Sequence, residues 1–297
     1  MGTSRRTFGM LAAAALVSRP SFGEIEDAQL ITRAIPSTGE RVPAVGLGTA
    51  YVYDRDNEQT RNAAAGVLAT LVQSGGRLID TASSYGDAES VLGGAIAGAG
   101  LRDKVFLATK LEQPDPAELK RSLTRLKTSK LDLLQFHNVS NPRQSLARFK
   151  EWRAQGICRY IGITSTFHGD FAAIEAVLAR EKPDFVQVDY SLDDREVERR
   201  ILPLAADVKA AVLTAQPLGR GRLFRAVRGQ AVPDWAKDFA DSWAQFFLKF
   251  LLGDPRVTAV IPGTSNAAHM ADNLGAMRGR LPDANERKRM VTMVESL

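Results

Sequence analysis

Three of four residues whose side chains can carry or steady a proton end short apolar runs: Asp80 after Leu78-Ile79, Lys110 after Ala108-Thr109, and His137 after Leu134-Gln135-Phe136. The fourth, Tyr85, lies in the loop just beyond Asp80. Singly each is weak, because an Asp after a strand often caps a helix and a His is often a satisfied core residue. Four titratable residues around three successive runs are hard to explain as packing, since each would bear a desolvation cost unless paired. As a set they can deliver a proton to an oxygen on which charge develops. A tyrosine titrates near ~10, too high for an ideal acid at neutral pH. A neighbouring ammonium favours the phenolate and lowers that value, and a carboxylate can hold the ammonium in place. Tyr85 is then the acid, Lys110 its cation, Asp80 the partner of Lys110, and His137 a group that orients the substrate's oxygen.

For these residues to meet, the runs that carry them must lie side by side. Eight short β-branched or Leu-rich runs, at 45–47, 77–79, 105–109, 131–135, 160–163, 185–188, 211–213 and 257–261, alternate with longer amphipathic stretches at 58–72, 88–96, 115–126, 144–155, 171–179, 195–206, 238–252 and 267–277. Eight β/α alternations with short loops predict the α/β class and a (β/α)8 TIM barrel, whose functional residues sit at the carboxyl ends of the strands. Runs at 31–35 and 41–43, joined by Ser37-Thr38-Gly39-Glu40, predict an N-terminal β-hairpin plugging the bottom of the barrel, and 281–295 an extra C-terminal helix. With 297 residues, 44% apolar, no internal repeat and no second core, residues 24–297 read as one barrel domain.

The formal charge of +5 is scattered, which argues against a nucleic-acid partner and leaves a weak attraction for anions such as a phosphorylated cofactor. The single cysteine, Cys158, excludes an intrachain disulfide and a Cys-rich metal site and reads as packing. No Ser-His-Asp order or metal-ligand cluster supports a hydrolase, and His168 and His269 stand alone. At the N-terminus, Ser4-Arg5-Arg6-Thr7-Phe8 precedes an apolar run, 9–17, too short to span a bilayer. This resembles a twin-arginine export signal over residues 1–23, cleaved near Gly23, and predicts a periplasmic or otherwise exported protein that meets the twin-arginine machinery and has no stable membrane anchor.

Asp80-Thr81-Ala82-Ser83-Ser84-Tyr85-Gly86, with Glu89 and Leu92-Gly93 after it, resembles the signature of the aldo-keto reductase family. Gly46-Leu47-Gly48-Thr49 before it and Lys110 and His137 after it match in order, and the likeness extends over residues 29–297. The resemblance implies that NAD(P)H binds extended across the carboxyl-terminal face of a (β/α)8 barrel. No G-x-G-x-x-G follows any run, consistent with the absence of a Rossmann domain. It also implies hydride transfer to a small aldehyde or ketone, in which the nascent alkoxide needs the acid and the electrostatic support that the four residues supply.

Further site residues are carried over from the resemblance. Thr164 and Ser165 stand where the family usually has Ser-Asn, and with Gln187 they are expected to hold the nicotinamide carboxamide, loop capping being the competing reading. Pro217, Leu218, Gly219 and Arg220, with Gly221, resemble the loop over the pyrophosphate. Gly263, Thr264, Ser265, His269, Asp272 and Asn273 resemble the adenosine-binding segment. NADPH is expected as cofactor, and because Gly263 and His269 stand where NADPH-preferring relatives have basic residues, NADH is possible. Many relatives stack an aromatic ring on the nicotinamide, where this chain has Ala215. The alternative to an enzyme is a redox-reporting nicotinamide-binding protein like the potassium channel β subunits, and the intact tetrad favours the enzyme. Tyr51, Tyr53, Phe224 and Trp235 either line the substrate pocket or pack their loops.

Overall fold

In this computed structural model the described residues are 1–2 and 30–297, so the twin-arginine motif and its apolar run lie outside them. Strands β1 (Thr32–Ala34) and β2 (Arg41–Pro43) pair antiparallel as the expected hairpin. Eight further strands form one parallel sheet in chain order: β3 (Leu47–Gly48), β4 (Leu78–Asp80), β5 (Phe106–Leu111), β6 (Leu131–Phe136), β7 (Cys158–Ser165), β8 (Phe185–Asp189), β9 (Ala211–Ala215) and β10 (Ala259–Val260). The sheet closes on itself through bridges between Val45 and Val260 and between Gly48 and Gly263. A Cβ on Gly48 would lie 2.6 Å from the Ile261 carbonyl oxygen, so only glycine lets the first and last strands meet there.

The covering helices are α1 (Glu58–Gln73), α2 (Ala88–Gly98), α3 (Pro116–Arg125), α4 (Ala147–Ala154), α5 (Phe171–Glu181), α6 (Ile201–Asp207), α7 (Arg222–Ala226), α8 (Trp243–Leu252), α9 (Ala267–Gly275) and α10 (Ala284–Glu295). Their starts are written locally: Asn57, Asp115, Ser242 and Asn266 cap backbone N–H groups, and Asp283 with Glu286 forms a capping box. The single helix expected over 195–206 is instead a short 3-10 turn, Glu196–Glu198, followed by α6. A helix running from 195 would put Pro203 in its interior, whereas restarting at Ile201 leaves it in the first turn, where a missing N–H costs little. The stretch expected from 238 becomes α-helical only at Trp243, where Ser242 caps it.

Two apolar layers follow from the strand period of two. Leu78, Phe106, Ala108, Leu133, Tyr160 and Phe185 fill the barrel with Ile35 and Val42 of the hairpin, and Thr38 Oγ1 meets Tyr160 Oη at 2.9 Å, so the hairpin does plug the amino end. Residues on the opposite strand faces, such as Ile79, Leu107 and Leu134, pack beneath the helices.

Candidate active site

Continuing the inward phase of each strand toward its carboxyl end places a polar layer above the apolar filling. Leu78 is followed two residues on by Asp80, Ala108 by Lys110, Leu133 by Gln135 and Phe185 by Gln187; all four polar residues are buried. Lys110 Nζ donates to Asp80 Oδ2 at 2.6 Å and to the Thr81 carbonyl at 2.8 Å, and lies 3.5 Å from the Tyr85 hydroxyl. Gln135 and Gln187 each donate to Asp80 at 3.2 Å, and Gln135 also donates to Gln187 Oε1 at 2.8 Å. Thr49 ties β3 to the same corner by donating to the Asp80 carbonyl at 3.0 Å.

Tyr85 sits half-buried over this layer, its ring 4.9 Å from Lys110 Nζ and edge-on to His137 with centroids 5.7 Å apart. The turn that presents it requires Gly86, whose φ is +56° and whose Cβ would fall 2.4 Å from the Asp54 carbonyl oxygen. The four expected catalytic residues are therefore brought together. The expected direction of the Tyr85 pKa is corrected: burial raises it most, Lys110 lowers it and Asp80 raises it, so the net shift is upward. Lys110 behaves conversely. Burial pushes it down, but Asp80 and then Tyr85 outweigh that, and it stays a cation.

Sequence reasoning missed Glu112 and Gln135. Glu112 lies two residues beyond Lys110, and its Oε1 is 2.5 Å from His137 Nδ1. That hydrogen bond is the largest influence on its carboxyl, which is held down to about 2 against the opposing effect of burial, with Ser84 and Asn138 assisting. Gln135 interrupts an apolar run and is legible only through its alternation with Leu133.

The cofactor candidates occupy the carboxyl ends of β7 to β10. Thr164 lies in the inward phase of β7, paired in register with Gln187, and its hydroxyl engages no partner among the described residues. Ser165 differs: its Oγ donates to Asp170 Oδ2 at 2.6 Å and accepts from the Phe167 N–H at 3.2 Å, so the capping reading holds and its hydroxyl serves its own loop. Beyond β9, Pro217 and Leu218 lead into a curled segment in which Gln216, Gly219, Arg220 and Gly221 all have positive φ, a concave backbone suited to negative charge. Arg220 bonds Gln216, and Arg222 Nε donates to Asp193 Oδ2 at 2.8 Å. Beyond β10, Gly263, Ser265 and His269 are exposed, while Thr264 Oγ1 accepts from the Asn266 N–H at 3.1 Å. Asp272 Oδ1 accepts from Gln245 at 2.9 Å, and Asn273 is buried.

Among the pocket candidates, Tyr53 takes the packing alternative: it is fully buried and donates to the Thr264 carbonyl at 3.0 Å, packing the loop. Trp235 packs on Phe246 and under Arg289 of α10, also a structural role. Phe224 keeps 39% exposure against Phe247, and Tyr51, 90% exposed, stands out from the rim at φ 61° with Phe167 at 58%. Cys158 is buried and its thiol is pushed up to about 12, chiefly by that burial, as packing requires. Among the described residues no cluster could hold a metal ion, and no helix is long and apolar enough to cross a membrane.

With this geometry in hand, comparison with known proteins adds three findings. The family model for the Aldo/keto reductase family matches residues 44–289. Methylglyoxal reductase YeaE of Escherichia coli (strain K12) is 30% identical over 255 residues, covering 82% of this chain and 88% of that protein, and an aldo-keto reductase of Mycobacterium avium (strain 104) is 31% identical over 265 residues, covering 84% and 87%. The crystal structure of an aldo-keto reductase from Klebsiella pneumoniae in complex with NADPH is similar with a TM-score of 0.75 and 26% identity, covering 89% of this chain and 96% of that one.

Proposed function

The chain belongs to the aldo/keto reductase family, and on that premise we propose that Tyr85 acts as the general acid when hydride passes from NADPH to the carbonyl carbon of a small aldehyde or ketone. The protein is an NAD(P)H-dependent oxidoreductase. The observation that carries the reading is the sealed pair of Lys110 and Asp80, with the Tyr85 hydroxyl 3.5 Å from Lys110 Nζ. NADPH supplies the hydride; the chain supplies the rest. Lys110 stabilises the phenolate left when Tyr85 yields its proton, Asp80 fixes Lys110, and His137 orients the carbonyl oxygen.

The residues present fit a dinucleotide. Thr164, with its unengaged hydroxyl, and Gln187 would hold the carboxamide; the curled backbone at 216–221 would take the pyrophosphate; and the exposed Ser265 and His269 at the start of α9 would meet the 2′-phosphate. Small Ala215 favours weaker holding of the nicotinamide ring than an aromatic would give, the one feature that suits a slow redox-reporting binder. Oxidation of NADPH and NADH against aldehydes, ketones and sugars, with methylglyoxal from the name of the Escherichia coli relative included, tests the function. Tight cofactor binding without turnover on any carbonyl would favour the binder.

We also propose export by the twin-arginine route, supported by Arg5-Arg6, Phe8 and the apolar run after them. Changing Arg5→Lys with Arg6→Lys should leave the protein in the cytoplasm with its activity intact; unchanged export in fractionation would refute this.

A further inference from the structure

His137 and Glu112 make a pair that the tetrad alone does not require. Nδ1 of His137 lies 2.5 Å from Glu112 Oε1 and 3.4 Å from Ser84 Oγ, while Asn138 Nδ2 donates to Glu112 Oε2 at 3.3 Å and fixes the carboxylate. Among the described residues, Glu118 accepts from the Glu112 N–H at 2.9 Å, Arg121 and Arg125 line the same cleft as Glu112, and Tyr85 meets the imidazole edge-on with Lys110 and Asp80, which are paired with each other, behind it. An ionised carboxylate accepts but cannot donate, so the proton between Glu112 and His137 resides on Nδ1. A neutral imidazole protonated there has a lone pair on Nε2. Nε2 of His137 engages nothing among the described residues, so it is the nitrogen left for a ligand.

We propose that Glu112 is a positioning residue that confines neutral His137 to the Nδ1–H form, so that His137 can donate to a substrate's carbonyl oxygen only as the imidazolium. The inference deepens the reductase reading above and rests on it for its kinetic consequence, but not for the tautomer. As a neutral ring His137 would accept a hydroxyl proton, the hydrogen bond an alcohol product or a hydroxylated substrate offers. As the cation it would grip a carbonyl. The Glu112 carboxylate lies 2.5 Å from the imidazole and carries a charge that an amide in the same place would lack.

The test uses the full chain with 15N-labelled histidine. Three histidines are present, so His168→Gln and His269→Gln assign the His137 signals. Well above the pH at which His137 titrates, the wild type should show a protonated Nδ1 and a bare Nε2, and Glu112→Ala should populate the Nε2–H form. Glu112→Gln keeps an acceptor for Nδ1–H but removes the charge. It should move the limb of the kcat/KM profile on which carbonyl reduction falls with rising pH to lower pH by about one unit, a loss of about tenfold on that limb, and Glu112→Asp should restore most of it. A neutral His137 protonated on Nε2 in the wild type, or a limb unmoved in Glu112→Gln, would overturn the proposal. An Nδ1–H spectrum without reduction of any carbonyl would uphold the tautomer and overturn the reductase reading alone.

Discussion

Lys110 Nζ and Asp80 Oδ2 lie 2.6 Å apart with side chains 1% and 3% exposed. The remaining hydrogen-bonding capacity of both groups is largely used: Lys110 also donates to the Thr81 carbonyl, and Asp80 also accepts from Gln135 and Gln187. A charge buried without such partners would neutralise; here Asp80 holds Lys110 as a cation. The cation beside Tyr85 is therefore a permanent feature of the fold, present before any substrate arrives.

Removing Lys110 should be costly twice over. Lys110→Met leaves Asp80 buried with only amide donors, a loss of about 3 kcal/mol of stability, and deprives Tyr85 of the cation that offsets its burial. Turnover should fall at least ~100-fold. Urea unfolding together with steady-state rates checks both; wild-type values in either would remove Lys110 from that role.

Asp189, at the carboxyl end of β8, gives a pH-dependent stability effect. Burial, and then Asp194, push its carboxyl up to about 6 against Arg220, Arg222 and His168. Because the folded value exceeds the unfolded one, the folded state binds the proton more tightly. Below the unfolded value Asp189 is protonated in both states and costs nothing; the penalty grows as pH rises through the interval and is complete above about 6. Asp189→Asn should stabilise the protein by about 1–2 kcal/mol near pH ~8, a figure reduced for solvent screening, and leave it unchanged near pH ~4. Thermal melts at the two pH values decide it, and a gain at the acid end would contradict the assignment.

Cofactor choice should be moderate. Tight selection for a 2′-phosphate uses Arg or Lys in charge-assisted contact, and the candidate positions here are Gly263 and His269. The exposed Ser265 hydroxyl remains available, whereas Asn266 caps the Ala268 and His269 N–H groups at the start of α9. NADPH should bind about 10- to 100-fold more tightly than NADH, about 1.4–2.8 kcal/mol, and His269→Ala should narrow the gap. A preference for NADH, or one for NADPH above about a thousandfold, in fluorescence titrations would contradict this.

What was legible in the sequence follows from what is local. Asp80, Lys110 and His137 end apolar runs, so their common face could be read from the strand period, and Pro203 carried a helix break that a purely periodic reading passed over. Glu112 and Gln135 obey the same period but sit among other polar or apolar residues without a motif. Tyr53 stayed undecided between pocket and packing because its partner, the Thr264 carbonyl, is 211 residues away. The net shift on Tyr85 was misread for a different reason: the spacing of charges along the chain shows neighbours, whereas burial, which dominates that shift, exists only once the barrel closes.

The most direct test of the account is Tyr85→Phe. The substitution keeps the ring beside Lys110 and His137 and deletes only the hydroxyl, whose one hydrogen-bond partner among the described residues is Lys110. Measured on the best carbonyl substrate with NADPH, alongside the cofactor dissociation constant, the variant should lose at least ~100-fold in turnover while binding NADPH as the wild type does. Turnover close to wild type would contradict the assignment of Tyr85 as the acid.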